Sequence, residues 1–114
     1  MRTEIEIKLL GYLGLARKAN MAEYGADKIR DMIRNSKLKL VLLASDVSVN
    51  TEKRIVNCCK YYPTDYIKTD IDSAKLGKAI GAYGKAAVVG ISDKGFSAAI
   101  FKLIESDYKS DIRS

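Results

Sequence analysis

The residues best suited to bind a partner lie between Gly25 and Asp46, where a glycine opens a short basic helix and an apolar strand closes on Ser45-Asp46. A helix N-terminus leaves its first backbone N–H groups without intrahelical acceptors, and its dipole favours negative charge there. Glycine at that turn lets a ligand come close to the backbone. Gly25, the amides of Ala26 and Asp27, and the ammonium of Lys28 therefore form a general device for holding an anionic, hydrogen-bond-accepting partner. RNA is the first candidate.

Materials for catalysis are scarcer. The chain has no His, which removes the usual general base near neutral pH and the commonest metal ligand. Asp46, after an apolar strand, has the position of a phosphoacceptor or catalytic carboxylate. No second acidic residue follows an early apolar strand, as metal-assisted phosphoryl chemistry requires. The GxxxxGKS/T and GxGxxG phosphate-binding patterns are both missing. Cys58 and Cys59 are adjacent, so they cannot form an ordinary internal bridge and lack the CxxC spacing of zinc or redox sites. They read as core or half-buried thiols in a reducing cytosol. The expectation is a protein that is not an enzyme, with no cofactor and no metal.

The 114 residues, 47% hydrophobic and 30% charged, suit one globular domain able to bury a core without a metal or disulfide. Its expected bounds are residues 1–106, with a polar tail over 107–114. A net charge of +6 and a pI near 9.3 favour a polyanionic partner; a merely basic surface is the plainer reading. No apolar run approaches the ~18 residues of a membrane span, and residues 1–8 carry charge where a signal peptide needs an apolar core. A cytoplasmic protein with no membrane partner is expected.

The elements that hold these residues follow from periodicity. Thr3 with Glu6 makes a capping-box pattern for a first helix, with Ile5, Leu9, Tyr12 or Leu13, and Ala16 inward, ending by Lys18 to Asn20. Residues 21–24 form an extended link or short strand. A second helix turns Ala26, Ile29, Met32 and Ile33 inward and stops at Asn35-Ser36. The apolar run from Leu38 to Ala44 suits a strand covered on both faces. Ser48 or Asn50 caps a third helix through Tyr62, and Pro63 stops it before a strand around Tyr66-Ile67. Asp72 or Ser73 starts a fourth helix that Gly81 ends. Residues 86–91 are another covered strand, and Asp93 caps a last helix with Phe96, Ala99, Ile100, Leu103 and Ile104 on one side. Beyond Ile104 a frayed polar tail is expected. Strands alternating with helices imply parallel pairing through crossover helices. Ligands of such sheets gather where loops leave the strand C-termini, which puts Ser45-Asp46-Val47, residues 70–73 and Ser92-Asp93 on that side.

Three segments, LLGLARKANMAEYGADKI, KLKLVLLASDVSVNTEKRI and LGKAIGAYGKAAVVGISDKGF, together resemble the kink-turn RNA-binding ribosomal protein family, the superfamily of the archaeal and eukaryotic proteins L-seven-Ae and L-thirty-e. Within it, the small bacterial branch is the most similar. The resemblance covers residues 7 to 104 and implies an α/β fold: a three-layer α/β/α sandwich with a small mixed sheet, in a single domain. It also implies recognition of a sharply bent RNA by the start of the second helix and two nearby loops. In many members a Gly-x-Asn-Glu pattern meets the guanines of tandem sheared G·A pairs; here the matching residues are Gly25, Ala26, Asp27 and Lys28. Asp27 accepts but cannot donate as Asn does, while Lys28 can donate to guanine O6 or N7 or to phosphate. The loop matching the family's cover for an extruded nucleotide is Gly81 to Lys85, in which Ala82, Tyr83, Gly84 and Lys85 would face RNA. Tyr83 would stack on a base and Lys85 would meet its phosphate.

Ser45, Asp46 and Val47 line the neighbouring strand exit; Ser45 can hydrogen-bond RNA, and Asp46 is more safely a loop or helix-capping residue. Arg34 and Lys37 are further contacts after Lys28, whereas Lys39 alternates with Leu38 and Leu40 and reads as solvated. Tyr83 has the plainer alternative of covering a sheet end, and Tyr61 and Tyr62 read as packing residues. The implied partners are structured RNA, a kink-turn in rRNA or mRNA, and the ribosome. The alternative is a protein-interaction module of the same fold, without kink-turn specificity, in a ribosomal or RNA-processing complex.

Overall fold

Leu40–Leu43, the continuous apolar run, is buried along its whole length, as a strand covered on both faces must be. The computed structural model describes the backbone of residues 1–113 and the side chains of residues 1–107. In chain order the elements are α1 (Thr3–Lys18), β1 (Ala22–Tyr24), α2 (Ala26–Arg34), β2 (Leu40–Leu43), α3 (Val49–Tyr61), β3 (Asp65–Lys68), α4 (Ser73–Ile80), β4 (Val88–Ile91) and α5 (Lys94–Arg113). The strands form one sheet in the order β1-β4-β2-β3.

Period-two alternation divides each central strand between two cores. Leu40, Leu42, Val89 and Ile91 point into a cluster with Leu9 and Leu13 of α1, Leu76 and Ile80 of α4, and Ile100 of α5. Val41, Leu43 and Val88 face Ile29 and Ile33 of α2 and Ile55, Cys58 and Cys59 of α3. The result is the α/β/α sandwich expected, with α1, α4 and α5 on one face of a small mixed sheet and α2 and α3 on the other. Burial of each large apolar side chain in these cores contributes roughly 1.5–3 kcal/mol. Burial, and then the neighbouring Cys58, push the Cys59 thiol up to about 11, so it packs as a neutral group.

The sheet is mixed, as the resemblance implies, and not all parallel as the alternation of strands and helices alone suggests. Only β2 and β3 pair in parallel, through the crossover helix α3; β4 is antiparallel to both β1 and β2. The reason lies in how α4 ends, at Gly81 in the left-handed region, φ 72°. After that turn the loop doubles back along the helix until the Ala86 amide donates to the Ser73 carbonyl at the start of α4, so the chain re-enters the sheet at the end β3 left and β4 runs the opposite way. β1, β2 and β3 all leave the sheet at one end, and β4 enters at that same end.

Local capping also differs in part. Arg2, not Thr3, is the N-cap of α1, and its side chain makes no capping hydrogen bond. Glu6 instead reaches Lys75 of α4 at 3.2 Å, an interaction between helices that a local pattern cannot reveal. Ser48 caps α3 by accepting from the Thr51 amide, and Asp72 caps α4 by accepting from that of Lys75. Asp93 accepts from the Phe96 amide at 2.8 Å. α5 continues to Arg113 where a frayed tail was expected after Ile104; Asp107 is buried and accepts from the Arg2 amide. Ser92 and Asp93 lie at the opposite end of the sheet from the other strand exits, since Ser92 donates from its amide and hydroxyl to the Met21 carbonyl just before β1.

Candidate nucleic-acid interface

Gly25 is the N-cap of α2 with φ 104° and ψ 132°, a conformation that side-chain-bearing residues rarely adopt. A Cβ built there would meet nothing within 4 Å, so conformation alone demands glycine and the space above the turn is open. The Gly25 amide donates to Val88 at the start of β4, and the first helical bond runs from Ile29 back to the Gly25 carbonyl. No side chain caps α2. The amides of Ala26, Asp27 and Lys28 thus form an uncapped N-terminus beside the sheet end.

Glu23, on β1, organises the charges beside it. Its carboxylate is shared by Arg17 and Lys28, one oxygen each, and Arg17 also lies over the Tyr24 ring, 5.4 Å from its centroid. The hydrogen bond from Lys28, aided by Arg17, holds the Glu23 carboxyl below the usual carboxylate range against the opposing effect of burial. Lys28 is exposed but tethered, its ammonium leaning toward β1. The Asp27 side chain is 93% exposed.

Two loops complete this end. After β2, Ser45 is exposed while Val47 is buried in the core; the Ser45 amide donates to Ile71. Asp46 accepts from both the amide and the hydroxyl of Ser73, each at 2.8 Å. These bonds, with Lys85 nearby, lower its pKa. Asp46 is therefore the latch between the β2 exit and the start of α4, whose N-cap is Asp72. The second loop, between α4 and β4, is pinned at both ends by hydrogen bonds from Ala82 to the Gly77 carbonyl and from Ala86 to the Ser73 carbonyl. At its apex Tyr83 is fully exposed, 105% relative to a free side chain, so it covers no sheet end. Gly84 has φ 90°. The loop rests on Gly77, where a Cβ would come 2.1 Å from the Gly84 carbonyl oxygen.

One end of the sheet thus carries Gly25, Ala26, Asp27, Lys28, Ser45, Asp46, Val47, Ala82, Tyr83, Gly84 and Lys85. Arg34 and Lys37 are not there. Arg34 closes α2, roughly 13 Å along at 1.5 Å per residue, with Lys37 beyond the helix end, and Arg34 faces a groove against α3. Tyr61, which reads as a packing residue, is the last residue of α3 and stands 79% exposed beside that groove. Glu23, Arg17 and Gly77 were missed by sequence reasoning. Glu23 and Arg17 meet Lys28 only through strand pairing; a glycine inside the α4 pattern was the one available signal for Gly77.

A family model for the ribosomal protein L7Ae/L30e/S12e/Gadd45 family matches residues 7–101, nearly the whole sandwich and all three parts of this end. The chain belongs to that family. Within it, the chain is 39% identical over 93 residues to the RNA-binding protein YlxQ of Bacillus subtilis (strain 168), covering 82% of this chain and 91% of the relative. It is 34% identical over 98 residues to the Enterococcus faecium protein of the same name, covering 86% and 92%. A solved structure of a Bacillus halodurans C protein of unknown function superimposes with a TM-score of 0.80 at 32% identity, covering 86% of this chain and 97% of the other. The Giardia lamblia 15.5kD RNA binding protein shares the fold at a TM-score of 0.70 and 17% identity, covering 93% and 89%. Among the described residues no helix is long and apolar enough to cross a membrane.

Proposed function

We propose that this family member is a non-catalytic, cytoplasmic RNA-binding protein, associated with the ribosome, that recognises a kink-turn or similarly bent RNA. The Bacillus subtilis and Enterococcus faecium relatives are RNA-binding proteins by name, which supports RNA as the partner. The observation that carries the reading is the convergence of the uncapped α2 N-terminus, the β2 exit and the Tyr83 loop at one end of the sheet. In this reading the open space over Gly25 admits an RNA backbone or base edge to the α2 amides. Lys28 leaves or shares Glu23 to donate to guanine or phosphate, and Tyr83 stacks on an extruded base.

A gel-shift of the full chain tests this, using a kink-turn RNA and a control in which the sheared G·A pairs are replaced by Watson–Crick pairs. Preferential binding to the first is expected. Equal or absent binding would sink the specific reading and favour the protein-interaction module of the same fold.

A further inference from the structure

The far end of α2 carries a second surface that the proposed kink-turn site does not use. Arg30 and Arg34 stand one turn apart on α2, and Arg54, Asn57 and Tyr61 repeat at i, i+3 and i+7 on α3. Where the two helices pack, these side chains line a groove of about 370 Å³ with Tyr62 at its end. The groove has no acidic residue in its lining. Arg30 is 3.8 Å from the exposed Asp27, and among the described residues neither Arg34 nor Arg54 has an ion-pair partner.

Tyr61 distinguishes this groove from an ordinary basic face. A helix-end tyrosine 79% exposed presents its ring to solvent, and Tyr62 braces it from the side, edge to face with centroids 4.8 Å apart. A braced aromatic face beside guanidinium groups is the combination that holds unpaired nucleic acid: bases stack on the ring while the cations track phosphates. An adjoining depression extends the track past Lys60 and Lys39, with Asp65 at its border.

We propose that the α2–α3 groove binds an unpaired RNA strand, with Tyr61 as the stacking platform, Arg34 and Arg54 as phosphate contacts, and Asn57 placed to meet a base edge. It is a site separate from the Gly25 end, so a structured RNA with a single-stranded extension would be held at both.

Fluorescence anisotropy of the full chain with a labelled twelve-nucleotide single-stranded RNA tests this, alongside a kink-turn RNA trimmed of extensions. The single strand should bind saturably at physiological salt. Tyr61→Ala should weaken that binding roughly tenfold and Tyr61→Phe should retain it. An Arg34→Gln, Arg54→Gln double variant should lower the salt slope by roughly 1.4, two single-strand phosphate contacts. Tyr61→Ala should bind the trimmed kink-turn RNA as the wild type does, which separates failure here from failure of the kink-turn reading. Thermal melting of each variant guards against unfolding. The proposal is overturned if the single strand does not bind, if correctly folded Tyr61→Ala and double-arginine variants bind as the wild type does, or if polyglutamate competes as well as RNA.

Discussion

Gly77 offers a direct test of how the Tyr83 loop is positioned. An alanine Cβ at this position would lie 2.1 Å from the Gly84 carbonyl oxygen and 3.1 Å from the Ala86 nitrogen. These are backbone atoms, so no side-chain rotation relieves the clash. To reach ordinary contact at 3.4 Å the loop must retreat by about 1.3 Å, the difference between 3.4 and 2.1 Å. That retreat strains the bonds from Ala82 to Gly77 and from Ala86 to Ser73, each with a net contribution of about 0.5–1.5 kcal/mol. Overpacking of this kind costs about 1–3 kcal/mol. Because the loop is exposed and can yield, the lower half of that range is expected, less the gain of about 0.5–1 kcal/mol that alanine has over glycine inside a helix such as α4. Urea unfolding of Gly77→Ala, read at constant m-value, measures it, and amide chemical shifts should move over residues 81–86. Gly11 is the control: it is exposed on α1 with nothing within 4 Å of a Cβ, so Gly11→Ala should stabilise by about 0.5–1 kcal/mol. If Gly77→Ala is as stable as the wild type and the loop amides do not move, the close packing of α4 under the loop is refuted.

Three further outcomes follow. Gly25→Val forces a β-branched residue to φ 104° and should lose about 1–3 kcal/mol of stability together with RNA affinity; a gel-shift indistinguishable from wild type would mean that RNA does not approach this turn. Lys28→Ala should weaken kink-turn binding and relax discrimination by about 1–3 kcal/mol if the ammonium meets a base edge, and change mainly the salt slope if it meets phosphate; unchanged affinity in titrations across salt would remove it from the interface. Glu23 and Asp46 both have lowered pKa values, so their stabilisation is complete above their ordinary values, 4.5 and 3.8, and is lost as pH falls through the lower folded values. Urea midpoints should therefore decline below about pH 4.5, less steeply in a Glu23→Gln, Asp46→Asn double variant, and equal slopes would contradict the assignment.

Much of the fold is legible because period and punctuation are local. The 3.6-residue spacing in α1 puts Ile5, Leu9, Leu13 and Ala16 in the core, and the continuous apolar runs at β2 and β4 are buried throughout. Ser48, Asp72 and Asp93 cap as short polar residues before apolar periods should. Strand direction is not local. Alternating strands and helices suggest parallel pairing, but the turn at Gly81 and the loop that doubles back to Ser73 reverse β4, and only the folded path shows it.

For the candidate site, the sequence by itself determined the individual devices: a glycine before a basic helix, a strand exit with Ser45 and Asp46, and a tyrosine between glycines. Each is a matter of backbone conformation and residue type within a few positions. Only the tertiary structure decided which of them meet. Three strands leave the sheet at one end and β4 enters there, which gathers Gly25, Ser45 and Tyr83, while the rise of α2 carries Arg34 away to a second groove beside Tyr61. Helix charge and spacing are written in the chain. The end of the sheet to which a charge is delivered depends on where every other element turns, and that is a property of the packed whole.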